Sequence, residues 1–372
     1  MAPPELPYFP RPDLVDVIKR IYFSGLTDAV TMFAARRMGK TEFVKRDLMP
    51  AAEAWGWDCH YVDLWIRRDE PELALVEALE EQARQLQRAT GLLRRPNRVK
   101  ARADASVLGI EAEWTSAAAV VDSNLFARMR VALKALVGKG DRAVLLVIDE
   151  FQTLADGKYD DFVAALRATM LELRPSLKLF FTGSSRAALN SMFRSRRAPL
   201  FESAMPVPLP ILDRAFSEDR AAVYTQMSSR QTDADVLDAV FEQVGRIPKY
   251  LNSILIHMVA SLSSDPWAGY ESWLQSEGRD RLSDLWASLK PIDRHILAHL
   301  AMGGAALFSA QFIARAEEAT QTALTPAKVQ TAVKRLVRAD VLAPTGVEGE
   351  YELEDRAFML YVRQLLTGSS RG

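Results

Sequence analysis

The sequence predicts an α/β protein: a parallel sheet flanked by helices, followed by an all-helical segment and a smaller mixed unit. Three observations carry this. Short, continuously apolar runs alternate with helical patterns over about the first 200 residues, the signature of a parallel sheet with crossover helices. The proline-rich stretch Met205-Pro-Val-Pro-Leu-Pro210 then marks a change to helices alone. The last part ends in three helical patterns and two short β-prone runs.

The predicted strands are Val30–Ala35, Cys59–Leu64, Val144–Ile148, Leu177–Thr182 and Met205–Leu209. Strands buried on both faces read as unbroken apolar runs, and Ala143–Ile148 is one. Helical periodicity covers Lys40–Trp55, Pro71–Gln87 and Tyr159–Leu173. Between the second and third strands lies an insertion over 91–124. It opens with the basic residues Arg94, Arg95, Arg98, Lys100 and Arg102, and its alternating Val107, Ile110, Ala112 and Trp114 suit a small hairpin. The basic tract reads first as a solvated connector, although loops this long are often functional. Helices are expected from about Ser217 to Leu282, then at Asp293–Ala301, Ser309–Ala316 and Pro326–Arg338. Two strands, Val341–Ala343 and Tyr351–Leu353, flank the turn Gly346–Gly349. Three helices and a β-hairpin are the layout of a winged helix. Domains are accordingly expected at 1–215, 216–282 and 283–372.

Composition narrows the function classes. The 372 residues carry a net charge of −1, with 49% hydrophobic and 26% charged residues. This is ordinary for a soluble globular chain and gives no global pull toward nucleic acid or membrane. With one cysteine, Cys59, an intrachain disulfide is excluded, as is a zinc site built from cysteines. The opening Met1–Asp13 shows neither a basic nor an apolar leader region, and no apolar run reaches bilayer-spanning length. A cytoplasmic protein without membrane contact is expected.

The strongest motif follows the first strand. Arg36-Arg-Met-Gly-Lys-Thr41 joins a strand to a helix, the context a phosphate-binding loop requires. Gly39 lets backbone N–H groups approach phosphate, Lys40 reaches the β- and γ-phosphates, and the Thr41 hydroxyl can hold Mg²⁺. Ala35, Arg36, Arg37, Met38 and Glu42 complete the expected contact set around bound ATP. The usual loop begins with glycine, whereas this one has Ala34, which makes the turn if its φ stays negative.

A second motif, Val144-Leu-Leu-Val-Ile-Asp-Glu150, places two acids at the end of a buried strand. Burying carboxylates without a task is costly. Beside a phosphate loop, Asp149 is expected to hold Mg²⁺ and Glu150 to polarise the attacking water. The next strand ends Thr182-Gly-Ser184, where Thr182, or Ser184 after it, could meet the γ-phosphate or the water. Either serine of the following pair could instead cap a helix. Arg194, Arg196 and Arg197 form a cationic cluster from which one residue, Arg197 in our assignment, can stabilise transition-state charge; the alternative is a solvated helix end.

Together these motifs resemble the STAND and Orc/Cdc6-like branch of AAA+ ATPases over nearly the whole chain. The segment Tyr8-Phe9-Pro10-Arg11 is similar to the family's aromatic-x-Arg entry near adenine, and Pro199-Leu-Phe201 to its Pro-Leu-aromatic segment. Val244-Gly-Arg-Ile-Pro-Lys-Tyr-Leu251 resembles its Gly-Gly-x-Pro motif, with Arg246 at the second glycine. The resemblance implies a P-loop NTPase domain, an all-α lid and a winged-helix domain. It also implies nucleotide contacts from Phe9, Arg11, Arg246 and Pro248, and frequent self-association.

Three functions follow. The first is a Mg²⁺-dependent ATPase acting as a nucleotide-dependent switch in signalling, mobile-element biology or phage defence, with a protein partner. The second is an ATP-controlled DNA-binding protein using Lys334, Arg335 and Arg338 of Pro326–Arg338, a helix without acids. Against it stand the acids Glu348, Glu350, Glu352, Glu354 and Asp355, which would repel phosphates. The third is an ATP-binding pseudo-enzyme. His295 and His299 have metal-compatible spacing but no third ligand, so a core and surface role is expected.

Overall fold

The computed structural model describes residues 6–89, 125–138, 141–184, 191–339, 341–345 and 349–368. The expected hairpin and basic tract within 91–124, residues 185 and 186, and Glu348 lie outside them. The chain separates into two compact units. One comprises Pro10–Ala34 and Lys40–Leu209; the other comprises Met1–Phe9, Ala35–Gly39 and Pro210–Gly372.

The first unit is built on five parallel strands: β1 Ala29–Phe33, β2 Asp58–Asp63, β3 Val144–Asp149, β4 Leu177–Gly183 and β5 Met205–Pro208. Their order is β2-β3-β4-β1-β5. Every residue of β3 and β4 is buried, Lys178 included, and the unbroken apolar run of β3 fits a strand covered on both faces. The order matters for function because β4 separates β1 from β3. In register, Met32 of β1 faces Thr182 of β4, and Asp63 of β2 faces Asp149 of β3.

Helices Pro71–Ala89 and Leu125–Val137 bury Leu75, Val76, Leu79, Met129 and Leu133 in one core with Leu146, Ile148 and Phe181. Helix Leu125–Val137 was not anticipated; its buried Met129, Ala132, Leu133 and Leu136 follow the i, i+3, i+4 and i+7 spacing of a one-sided helix. A helix at Pro12–Phe23 was also not anticipated. It starts on a proline and buries Leu14, Ile18 and Tyr22, a period-four stripe. The Tyr22 hydroxyl donates to the Leu179 carbonyl at 2.7 Å and ties this helix to β4.

The helix after the loop runs Lys40–Phe43, widens into a π-helical segment Val44–Leu48 and resumes at Met49–Ala54. Pro50 explains the widening. It lacks an N–H, and its ring would strike the carbonyl one α-turn earlier, so a looser turn relieves the clash.

In the second unit, helices Arg214–Ser228, Ala234–Gln243, Pro248–Ala260 and Pro266–Ser288 share an aromatic core. Phe216, Tyr224, Phe241 and Trp273 are buried in it. Asp213, Asp233 and Asp265 cap three of these helices by accepting from backbone N–H groups of the first turn. Beyond them come Pro291–Ala301, Ala310–Thr320 and Pro326–Arg338, then the antiparallel pair Leu342–Pro344 and Tyr351–Leu353. These are the three helices and hairpin expected. A further helix, Arg356–Gly368, follows and was not anticipated.

Candidate active site

The site lies at the C-terminal ends of β1, β3 and β4, where open parallel sheets collect ligands. In the loop after β1, Arg37 (φ 68°) and Gly39 (φ 88°) are left-handed, whereas Met38 between them is not. Such alternation turns successive N–H groups toward one side and makes an anion nest. Gly39 meets this demand freely, whereas Arg37 bears a cost of about 1 kcal/mol. Ala34 keeps out of the positive-φ region, so alanine serves where glycine is usual. Lys40 opens the helix, is 6% exposed, and donates from Nζ to the Ala34 carbonyl at 2.7 Å.

Asp149, at the tip of β3, is 2% exposed and is held from several directions. Its Oδ2 accepts from the Thr41 hydroxyl at 2.8 Å and from the Tyr61 hydroxyl at 2.8 Å. Its Oδ1 accepts from the Glu150 backbone N–H at 3.0 Å and from the Thr182 hydroxyl. These four donors offset the cost of burying the carboxylate. Burial, followed by the Asp149 charge, pushes the Tyr61 hydroxyl pKa well up, so Tyr61 is a donor at any ordinary pH. The Lys45 ammonium sits 4.4 Å from the centre of the Tyr61 ring. Thr41 and Asp149 fit Mg²⁺: two hard oxygen donors stand side by side, and this ion commonly takes its remaining ligands from phosphate and water.

Glu150 is left-handed (φ 56°), which turns the chain out of the sheet into a tight turn over Phe151–Leu154. Its carbonyl accepts from Thr153 N–H and Thr153 Oγ1, both at 3.0 Å. Phe151 is buried under the turn, with ring centres 4.4 Å from Phe181. The Glu150 Oε2 accepts from the Ser184 hydroxyl at 3.0 Å and from the Gln152 amide, and that amide also reaches Ser184 Oγ at 3.1 Å. Thus Thr182 is hydrogen-bonded to Asp149 and Ser184 to Glu150. Tyr61 and Gln152 escaped the sequence reading. The signal for Tyr61 was its place two residues before Asp63, on the face of β2 that its neighbour β3 shares.

The other expected contacts are placed as follows. Arg11 donates its backbone N–H to Asp47 at 2.8 Å, and Glu42 pairs with Arg46 at 2.8 Å. Arg194, Arg196 and Arg197 are exposed. In the C-terminal unit, Phe9 packs edge-on against Phe216 with ring centres 5.4 Å apart. Pro248 is buried at the first turn of its helix. Arg246 is left-handed and pairs with Asp238 (2.9 Å) and Glu242 (2.7 Å). Arg37 pairs with Asp355 at 2.8 Å and donates to the Tyr250 hydroxyl, which itself donates to Asp355 at 2.5 Å. On Pro326–Arg338, Lys334 and Arg338 are exposed, whereas Arg335 pairs with buried Asp293 at 2.5 Å. Lys328 donates to the Ala323 carbonyl at 2.7 Å. His295 and His299 pack against Phe312, and His299 Nε2 lies 2.9 Å from the Ala305 carbonyl.

Solved structures match this arrangement closely in coverage. A Walker-type ATPase of Pyrococcus abyssi superposes with a TM-score of 0.64 at 15% identity, over 98% of this chain and 99% of that one. The Orc2 protein of Aeropyrum pernix, in ADPNP–ADP complexes, matches with a TM-score of 0.55 at 15% identity, over 99% and 98%. The fold is that of the Orc/Cdc6-like P-loop ATPases. The Orc1 protein of Aeropyrum pernix in complex with DNA matches at 0.50 and 14% identity, over 100% and 96%. No protein-family model matches the sequence. No curated protein matches it either. Among the described residues, no helix of this Orc/Cdc6-like fold is long and apolar enough to cross a membrane.

Proposed function

We propose that this chain is a Mg²⁺-dependent ATPase that works as a nucleotide-dependent molecular switch. The observation that carries the reading is the Asp149–Glu150 pair at the tip of β3, with Asp149 hydrogen-bonded to Thr41 of the phosphate loop. Fold likeness and the nucleotide complexes of the Orc2 match support it.

In this reading the loop N–H groups and Lys40 bind the phosphates. Thr41 and Asp149 would hold Mg²⁺, which would neutralise charge on the phosphate oxygens. Glu150 takes a proton from water as the water oxygen attacks the γ-phosphorus, and ADP leaves with the electron pair of the broken P–O bond. We assign the cationic finger to Arg197, contacts near the base to Phe9, Arg11 and Pro248, and a phosphate contact to Arg246.

Release of phosphate by the purified protein tests this. Glu150→Gln keeps the shape and removes the base, so turnover should fall about 10²–10⁴-fold with nucleotide still bound. Lys40→Ala should lose binding as well. Nucleotide binding by the wild type with no turnover would favour the pseudo-enzyme. Equal rates in all three proteins would remove Glu150 and Lys40 from the mechanism.

A second reading, ATP-controlled DNA binding, rests on exposed Lys334 and Arg338, on a helix without acids, and on the DNA complex of the Orc1 match. Arg335 is committed to Asp293, so the phosphate-facing set narrows to two cations. Replacing both should reduce the salt slope of DNA binding by about 2. Absence of binding at low salt with ATP present would end this reading.

A further inference from the structure

We infer that Gln152 and Ser184 form a clamp that aims the Glu150 carboxylate, making them positioning residues for its role as base. The inference rests on the hydrolytic reading above. Both residues donate to the same oxygen, Glu150 Oε2, and the Gln152 amide also touches Ser184, so the three side chains close a ring. One carboxylate oxygen is thereby fixed, and Oε1 is left to meet water.

Three further observations favour aiming over incidental packing. The backbone under Glu150 is left-handed, a conformation that non-glycine residues hold at a cost and that is often tied to function. The turn carrying Gln152 is pinned by buried Phe151 and by both Thr153 donors on the Glu150 carbonyl. The Gln152 Oε1 is itself buried, with no hydrogen-bond partner among the described residues. A buried amide oxygen without a donor is destabilising. Here it stands beside the group that handles water and can accept from the same water.

Ser184 comes from the end of β4 and Gln152 from the turn after β3, so the clamp joins the tips of two neighbouring strands. A carboxylate free to rotate would lose alignment with the attacking water, and misplacement by about 1 Å can cost a large factor in rate. The clamp should therefore act on kcat and leave the affinity for nucleotide nearly unchanged.

The test is steady-state ATP hydrolysis by the full chain, with ADP-dependent thermal stabilisation as the control for folding. Gln152→Ala and Ser184→Ala should each lower kcat about tenfold or more, with KM within about threefold. Ser184→Thr keeps the hydroxyl and should recover most of the rate lost in Ser184→Ala. In a Glu150→Gln background, Gln152→Ala should have little further effect, because the group it positions is gone.

If Glu150→Gln abolishes turnover while both alanine variants keep kcat within about twofold of wild type, or raise KM alone, the clamp is overturned and the hydrolytic reading stands. If Glu150→Gln turns over like the wild type, or the wild type does not turn over at all, the hydrolytic reading falls and takes the clamp with it.

Discussion

Asp355 offers the sharpest thermodynamic test of how Arg37 of the phosphate loop is held. The Asp355 carboxylate accepts from Tyr250 and Arg37 and caps the final helix through the N–H groups of Ala357 (2.9 Å) and Phe358 (3.4 Å). Burial alone would raise its pKa, but the Tyr250 hydrogen bond and the Arg37 charge outweigh this and hold it below the ordinary value. Asp355→Asn preserves size and the capping oxygen, removes the charge and takes away the acceptor that Arg37 uses. The side chains of the pair are 28% and 24% exposed, so its strength lies between a surface ion pair and a buried one. A loss of about 1–2 kcal/mol is expected.

For a chain of 372 residues, at about 2.1 cal/mol/K of unfolding entropy per residue, that corresponds to a fall in Tm of roughly 1–3 °C, followed by circular dichroism at pH 7. The sign with pH follows from the lowered pKa. A depressed carboxyl contributes stability that is fully present above its unfolded value, near 3.9, and is lost as pH falls through the folded value. The gap between wild type and variant should therefore hold from neutral pH to about 5 and narrow below 4. Coincident melts at pH 7 would refute the argument, as would a gap that widens on acidification.

Three further outcomes are expected. Burial, then the charges of Glu53 and Asp58, push the Cys59 thiol up to about 12. Alkylation at pH 8 should thus be orders of magnitude slower in the native protein than in urea, and equal rates would refute it. Arg335→Met should leave Asp293, 2% exposed, without its cationic partner and destabilise the chain by about 1.5–3 kcal/mol in chemical denaturation. Lys334→Met, on the same helix but exposed, should cost less than about 0.5 kcal/mol. Tyr61→Phe removes one donor from Asp149 while Thr41 remains, so a loss near 1 kcal/mol is expected, read as the denaturation midpoint.

Much of the fold was legible because buried parallel strands are written as uninterrupted apolar runs. Val144–Asp149 and Leu177–Gly183 end within one residue of expectation. The helix Pro326–Arg338 matches at both ends, since Thr325 caps its start and Val329, Val333 and Leu336 mark its buried face. The helix Arg356–Gly368 is less plainly written because it follows directly on an acidic strand, although Asp355 in front of it is a capping residue.

At the candidate site, Lys40, Thr41, Asp149 and Glu150 could be singled out because a phosphate-loop pattern is written in consecutive residues. What the sequence hides is pairing across distance. Tyr61 reaches Asp149 only because the strand order sets β2 beside β3, and Arg37 meets Asp355 318 positions away. The helix Pro326–Arg338 looked uniformly cationic in sequence, yet one of its arginines neutralises a buried acid instead. Charge counts along a helix cannot separate the two roles, because the partner sits on another element.

The four donors on Asp149 have a consequence for how the chain matures. They come from the helix after β1, from β2, from the end of β3 and from β4. A slip of one residue in any of these strands would turn the donor to the opposite face. One carboxylate therefore acts as an inspector of strand order: it is sheltered only when every neighbour has arrived in register. A half-assembled sheet would hold a bare, buried charge and open again. Parallel sheets close late and depend on distant pairings, so the chain should acquire its candidate site in one step, at the end of folding.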